Sequence, residues 1–274
     1  MQRTLVLLFG LIAYAIFLPT FLYLIAFVGN LQVSGLVEWM PALEWLVPYS
    51  ISFGRESTYF LPALLINVAL ITLFGLQHSI MARSGFKDWL KQSLPASAER
   101  SVYVLLSSLV LIVLFWQWRP LSNLIWSVES QPGLGILWAV FAIGFGMVFI
   151  ATFLIDHFEL FGLRQIWSNF RNRPFTQSGF VTPAFYRIVR HPLYLGFLLA
   201  FWSTPFMTVG HLVFATGMTG YILIGIRFEE RDLNRFLGDD YRRYQEQVPR
   251  LVPMPGRVYR KSESSDAGLS TGSH

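Results

Sequence analysis

The sequence predicts an all-α, polytopic integral membrane protein: a bundle of four spans followed by a C-terminal helical hairpin, with both termini on the cytoplasmic side. Three observations carry this expectation. The 274 residues are 54% hydrophobic and only 14% charged, where soluble domains carry about 25% charge. The apolar residues gather in five runs of the length a bilayer core demands, about 20 helical residues. Finally, 19 of the 21 Lys and Arg residues fall on one side of the chain path those runs define.

Residues 5–29 form the first run. The run is longer than a signal-peptide core and no small-residue cleavage site follows, so it reads as an uncleaved span. Residues 60–80 and 134–155 are the second and fourth. The third, 102–118, is shorter, but apolar sequence continues past it. The last, 193–226, is longer than one span needs and is interrupted at Pro205 and Gly210, which fits a hairpin of two shorter helices. Arg3, the group Arg83, Lys87, Lys91 and Arg100, the group Arg164, Arg171, Arg173, Arg187 and Arg190, and nine basic residues beyond 226 then share one compartment. Only Arg55 and Arg119 remain for the other. The positive-inside rule makes the crowded side cytoplasmic and puts the acidic, Trp-containing loop 30–59 outside.

One membrane-embedded domain is expected over residues 1–261. The Ser- and Gly-rich stretch 262–274 reads as a disordered tail. There is no internal repeat. The absence of cysteine excludes disulfides, thiolate metal sites and a cysteine nucleophile. The net charge of +5 belongs to membrane-flanking loops rather than to nucleic-acid binding.

Polar residues at membrane depth are costly and are functional candidates. Asn67 and His78 share a helix face about 16 Å apart in height. Gln77 and His78 close the second span in "FGLQHSIMAR". Asp156 and His157 close the fourth in "FLIDHFELFGLRQIW". Arg190, His191 and Tyr194 open the hairpin in "RIVRHPLYLG". Each has an ordinary reading: histidines bonding helix-end carbonyls, Asp156 paired with an Arg, arginines as anchors, Tyr194 as a belt aromatic. Their coincidence at one depth points to a site. The cytoplasmic segment "IRFEERDLNRFLGDDYRRYQEQVPRLVP" adds Glu229 and Glu230 at the membrane exit. Glu230, Leu233, Leu237, Tyr241 and Tyr244 share one face if Gly238 does not break the helix. A surface-lying amphipathic helix would account for the mixture. Two adjacent carboxylates repel each other and the anionic leaflet, however, so a cationic partner explains them better. S-adenosylmethionine has the matching groups: a sulfonium and an amine for carboxylates and aromatic faces, and a carboxylate for Arg. No Gly-rich loop follows a strand, so the cofactor would sit among helices.

The pieces "RHPLYLG", "EERDL" and "YRRYQEQVPRLVP", in that order, resemble the C-terminal signature of the isoprenylcysteine carboxyl methyltransferase and phospholipid methyltransferase superfamily. "GLQHSIMAR", "ERSVYVLLSSL", "LFWQWRPL" and "FLIDHFELFGLRQIW" resemble one branch, the bacterial methanethiol S-methyltransferases, in a clan with NnrU-like membrane proteins. The resemblance covers residues 5–253. It implies a multi-pass protein of the bacterial inner membrane with its active site on the cytoplasmic side. The implied reaction is methyl transfer from S-adenosylmethionine to methanethiol, giving dimethyl sulfide. The implied cofactor residues are Arg190, His191, Tyr194, Glu229, Glu230, Tyr241 and Tyr244, within a cofactor-binding part 186–253.

Such chemistry is modest. Positioning supplies up to about 7–11 kcal/mol, and the nucleophile is the thiolate. A thiol of pKa above about 8 needs a base or an electropositive setting. His157, His78 and Asp156 are the catalytic candidates, His157 first because a neutral imidazole accepts a proton near pH 7. No metal is expected, since two His and one Asp on different helices make a weak metal signal. The expected partners are a small-molecule thiol and the lipid bilayer, with oligomeric state open. Two other readings stand beside this one: a sibling transferase acting on a prenyl-cysteine or a phospholipid amine, and a haem-binding membrane isomerase or NnrU-like protein with His78 and His157 as axial ligands.

Overall fold

In the computed structural model, residues 1–31, 40–55, 59–176 and 181–259 are described. The tail 262–274 and part of the loop 30–59 lie outside them. The helices in chain order are α1 (Gln2–Val28), α2 (Leu43–Leu46), α3 (Phe60–Ala82), α4 (Ser84–Lys91), α5 (Glu99–Gln117), α6 (Gln131–Ile155), α7 (His157–Leu160), α8 (Leu163–Phe170), α9 (Pro192–Trp202), α10 (Val209–Leu237) and α11 (Asp239–Gln247). Five of them, α1, α3, α5 (with the turn before it), α6 and α10, are long and apolar enough to cross a membrane. They leave Leu5, Leu8, Ile12, Leu61, Leu65, Leu73, Leu76, Ile143, Ile150 and Ile224 exposed. A surface of that kind is stable only against lipid.

The hairpin differs from the expected pair of shorter helices. Its first limb, α9, has 11 residues and rises about 16 Å, roughly half the hydrocarbon thickness. Its second limb, α10, has 29. The reason lies at the turn. Ser203 closes α9, Pro205 follows, and Thr208 caps α10 by accepting from the His211 amide. Everything beyond Thr208 then propagates as one helix, through the apolar run and on into the acidic "EERDL" stretch. α9 makes up for its shortness by packing chiefly on α6. There Gly144 and Gly196 face each other, and a Cβ on Gly196 would stand 2.6 Å from the Gly144 carbonyl oxygen. Close backbone approach through small residues is how helices bind where lipid removes the hydrophobic drive.

The expected all-helical chain also contains a short ribbon. β1 (Leu124–Ser127) pairs antiparallel with β2 (Phe206–Thr208). Both are connectors at the same end of the bundle, where unpaired backbone near the bilayer is expensive. Asn67 belongs to this end. Its side chain donates to the Arg119 carbonyl at 2.7 Å and accepts from the Arg119 amide at 2.9 Å, so it ties α3 to the end of α5 rather than serving a site with His78. The aromatic core of Phe27, Phe115, Trp118, Phe201 and Phe214 fills the space beneath. At the other end, Gly238 does break the terminal helix: it takes φ +58°, ψ −126° and turns α11 back from α10.

Candidate functional site

The site end of the bundle is organised by one carboxylate. Glu230 lies inside α10 with its side chain only 7% exposed. Its Oε1 accepts from Arg190 Nε at 2.9 Å and lies 2.8 Å from Arg190 Nη2 and 3.1 Å from His191 Nε2. Arg250 donates to its Oε2 at 2.8 Å. The sequence reading leaves the Glu229–Glu230 pair looking for an external cation. For Glu230 the structure supplies two internal ones, Arg190 and Arg250. The Gly238 turn brings Arg250 back to a residue 20 positions earlier, which is why linear spacing does not reveal the pair.

Arg190 is held further by the carbonyls of Gln245 and Val248, both at 2.8 Å, the free acceptors at the C-terminal end of α11. The backbone amides of Arg190 and His191 donate to the carbonyls of Pro249 and Arg250. "RHPLYLG", "EERDL" and the "PRLVP" strap are thereby one unit. Tyr241 and Tyr244 are fully buried and pack with Val248, Leu233 and Leu237. The Tyr244 hydroxyl donates to the Tyr186 carbonyl at 2.5 Å. Burial pushes both phenols up. The two tyrosines form the core that seats α11.

Glu229 is the more available carboxylate, 44% exposed, with its Oε2 3.8 Å from His191 Nδ1. Tyr194, on the first turn of α9, interacts with Glu229 and lies in electrostatic range of Tyr221 and Tyr103. The His191 and Tyr194 rings are 5.6 Å apart. From there the polar strip continues into the bundle. Tyr221 of α10 packs edge-on to His78 at 6.1 Å, and the Tyr103 hydroxyl of α5 is 2.5 Å from His78 Nε2. The other ring nitrogen of His78, Nδ1, is buried and has no hydrogen-bond partner among the described residues. Gln77 turns instead to Met81 and Ser107.

The other two catalytic candidates sit elsewhere. Asp156 adopts φ +93° and caps α7 by accepting from the Glu159 amide. Arg164 donates to its other oxygen. His157 is buried between α6 and α1, with Thr152 Oγ1 2.8 Å from Nδ1 and the Tyr14 hydroxyl 2.8 Å from Nε2. Its ring stacks on Phe153 at 4.3 Å. Burial lowers its pKa, with Asp156 opposing weakly. Among the described contacts none links His157 to Glu229, Glu230 or His78. Three residues of the strip were missed by sequence reasoning: Tyr103, Tyr221 and Arg250. Tyr103 lies within the quoted "ERSVYVLLSSL", and its hydroxyl near the start of α5, at the same end as His78, was the available signal.

The architecture is thus a polytopic α-helical membrane protein with a buried ionic node and an aromatic–polar strip at one end. The chain belongs to the NnrU protein family, whose sequence profile matches residues 66–254. Curated relatives include the methanethiol S-methyltransferase of Mycobacterium tuberculosis (strain ATCC 25618 / H37Rv), 46% identical over 94% of this chain and 99% of its own length. That of Pseudomonas deceptionensis is 51% identical over 76% of this chain and 79% of its own. Nurim of Xenopus laevis is more distant, 30% identical over 69% of each chain. No solved structure matches.

Proposed function

We propose that this protein is an S-adenosylmethionine-dependent thiol S-methyltransferase that converts methanethiol to dimethyl sulfide. The reading rests on relatives of that name that match nearly the whole chain. The site residues fit the cofactor's charges. Glu229, half exposed beside His191 and Tyr194, offers a carboxylate and aromatic faces to a cation. When bound, S-adenosylmethionine supplies an electrophilic methyl on a sulfonium. Glu229, His191 and Tyr194 would hold it, while Arg190, Glu230 and Arg250 fix the strap that carries them.

The thiol must lose its proton, and His78 is the group best suited to take it. The observation that carries this assignment is the unpartnered, buried Nδ1. In the tautomer that carries the proton on Nε2, toward the Tyr103 oxygen, Nδ1 is an acceptor with no partner among the described residues, the state a base needs. Leaving such an atom unpaired costs about 1–3 kcal/mol; His211 Nδ1 is buried and unpartnered as well, and what sets His78 apart is its place on the strip with Tyr103 and Tyr221. His157, with both nitrogens engaged, serves instead to anchor α7 against α1. The ring faces of Phe74 and Tyr221 around His78 suit a small apolar acceptor.

The basic residues support placing this end on the cytoplasmic side of the bacterial inner membrane. A cysteine introduced at exposed Asp240 should label only after permeabilisation, and one at exposed Ser130 in intact cells; the reverse pattern would invert the topology. The activity is tested by headspace detection of dimethyl sulfide from purified protein, methanethiol and S-adenosylmethionine. Absence of product, with a prenyl-cysteine or phospholipid amine methylated instead, would transfer the assignment to that acceptor.

A further inference from the structure

A second cluster lies outside the polar strip. α8 is amphipathic. Ile166 on one face is buried against Val6 and Ala98, which fixes the helix to α1 and to the turn before α5. Trp167 and Phe170 remain exposed at 53% and 39%, and Phe175 just beyond is 38% exposed. Beside it opens a cavity of about 360 Å³ lined by Arg164, Trp167, Ser168, Arg171 and Arg173.

The lining holds three guanidiniums and no carboxylate. Arg164 is engaged by Asp156 and by Glu159. Arg171 and Arg173 make no ion pair among the described residues; the Arg171 guanidinium lies 5.8 Å from the Trp167 ring centroid. Like charges around one cavity repel, and the lining itself offers Arg171 and Arg173 no counter-charge. The methyl-transfer reading uses none of these residues.

We propose that this cavity binds a phosphate group, that of an anionic phospholipid headgroup. Guanidinium forks match phosphate oxygens in pairs, and Ser168 adds a hydroxyl donor. Free phosphate shares that chemistry. The exposed Trp167, Phe170 and Phe175 favour the lipid, because aromatic rings beside arginines on an amphipathic helix mark the boundary between headgroups and acyl chains. An occupied cavity would clamp α8 to the bilayer surface, and through Ile166 hold the site end of α1.

The test uses the intact protein, delipidated in neutral detergent, with native mass spectrometry counting retained lipid. Wild type should retain phosphatidylglycerol over phosphatidylcholine. The Arg171→Gln/Arg173→Gln double variant, altered only at exposed positions, should retain about tenfold less phosphatidylglycerol with S-adenosylmethionine affinity unchanged. Arg171→Lys/Arg173→Lys should recover only part of the retention, since it restores charge without the fork. Equal retention by wild type and the Gln variant overturns the site. Full recovery by the Lys variant overturns the fork geometry and leaves only diffuse attraction. Displacement of phosphatidylglycerol by millimolar inorganic phosphate overturns the lipid assignment in favour of a free anion.

Discussion

His78 and His157 look alike in the sequence and differ in the fold. Each stands at the same end of an apolar helix with a polar neighbour. His157 has a hydroxyl at each ring nitrogen and a phenyl ring against its face. His78 has one nitrogen bonded to Tyr103 and the other buried with no partner among the described residues. A buried polar group whose bonds are all made needs no further explanation, because the bonds offset its desolvation. A buried group left short carries an uncompensated cost, and the proposed proton acceptance from the thiol would give that cost at His78 a use. The same contrast separates Glu230, enclosed by Arg190 and Arg250, from half-exposed Glu229.

The largest expected effect belongs to the enclosed member. Glu230→Gln leaves Arg190, 9% exposed, beside a neutral amide. Removing one partner of a buried ion pair costs about 3–5 kcal/mol. We expect a large drop in thermal stability in detergent and protease sensitivity at the 249–253 strap, with S-adenosylmethionine binding lost as a consequence. A variant of unchanged stability with weakened binding would return Glu230 to direct cofactor contact and blur the contrast with Glu229.

Next comes the comparison of the histidines themselves. His78→Ala should leave S-adenosylmethionine affinity near wild type and lower turnover about 10²-fold, the usual scale of a lost general base. Raising the pH should recover part of it, since solvent then supplies thiolate. His157→Ala should lower stability by about 1–3 kcal/mol while the folded fraction turns over normally. The opposite outcome, a stable His157→Ala enzyme with lost turnover, would exchange the two roles.

Much of this arrangement was legible beforehand. The helical membrane-bundle class and the first four long helices follow from composition and run length, since the bilayer imposes both; the unequal limbs of the hairpin, 11 and 29 residues, do not. Arg190, His191, Tyr194, Glu229 and Glu230 do converge. Pairings that depend on chain reversal were not legible. The Glu230–Arg250 contact exists because Gly238 turns α11 back. Tyr241 and Tyr244 share a helix face with Glu230 in the linear pattern, yet beyond that turn they form their own core. Helical phase places Asn67 on the same face as His78, whereas the Arg119 main chain takes both its bonds. Periodicity reports which residues share a face; it does not report what the opposite face presents.

A smaller effect sharpens the carboxylate comparison. Glu229→Gln should weaken S-adenosylmethionine binding by about 1.5–3 kcal/mol, the range for a charge-assisted contact, without the stability loss of Glu230→Gln. Isothermal titration with S-adenosylhomocysteine provides the control. Its sulfur is neutral, so a smaller loss for it places Glu229 near the sulfonium. Equal losses move the contact to the amine or ribose, and unchanged affinity for both removes Glu229 from the cofactor site.

The smallest effect concerns pH and the enclosed histidine. Burial holds the His157 pKa below its ordinary 6.5, so the folded protein keeps this imidazole neutral where the unfolded chain begins to protonate it. Between the two values the unfolded state binds more protons, and stability therefore rises with pH across that window. The sign follows: the contribution of neutral His157 is fully present above about pH 6.5 and is lost as pH falls toward the folded value. The slope from one such group is at most about 1.4 kcal/mol per pH unit. Thermal unfolding of wild type and His157→Gln between pH 7.5 and pH 5 should show the wild type losing its stability more steeply, the two curves converging at the acid end. Glutamine keeps hydrogen-bonding capacity for Tyr14 and Thr152 but cannot titrate. Parallel curves would mean that His157 is protonated in the fold as readily as in solution. It would then be open to water and no longer the enclosed counterpart of His78.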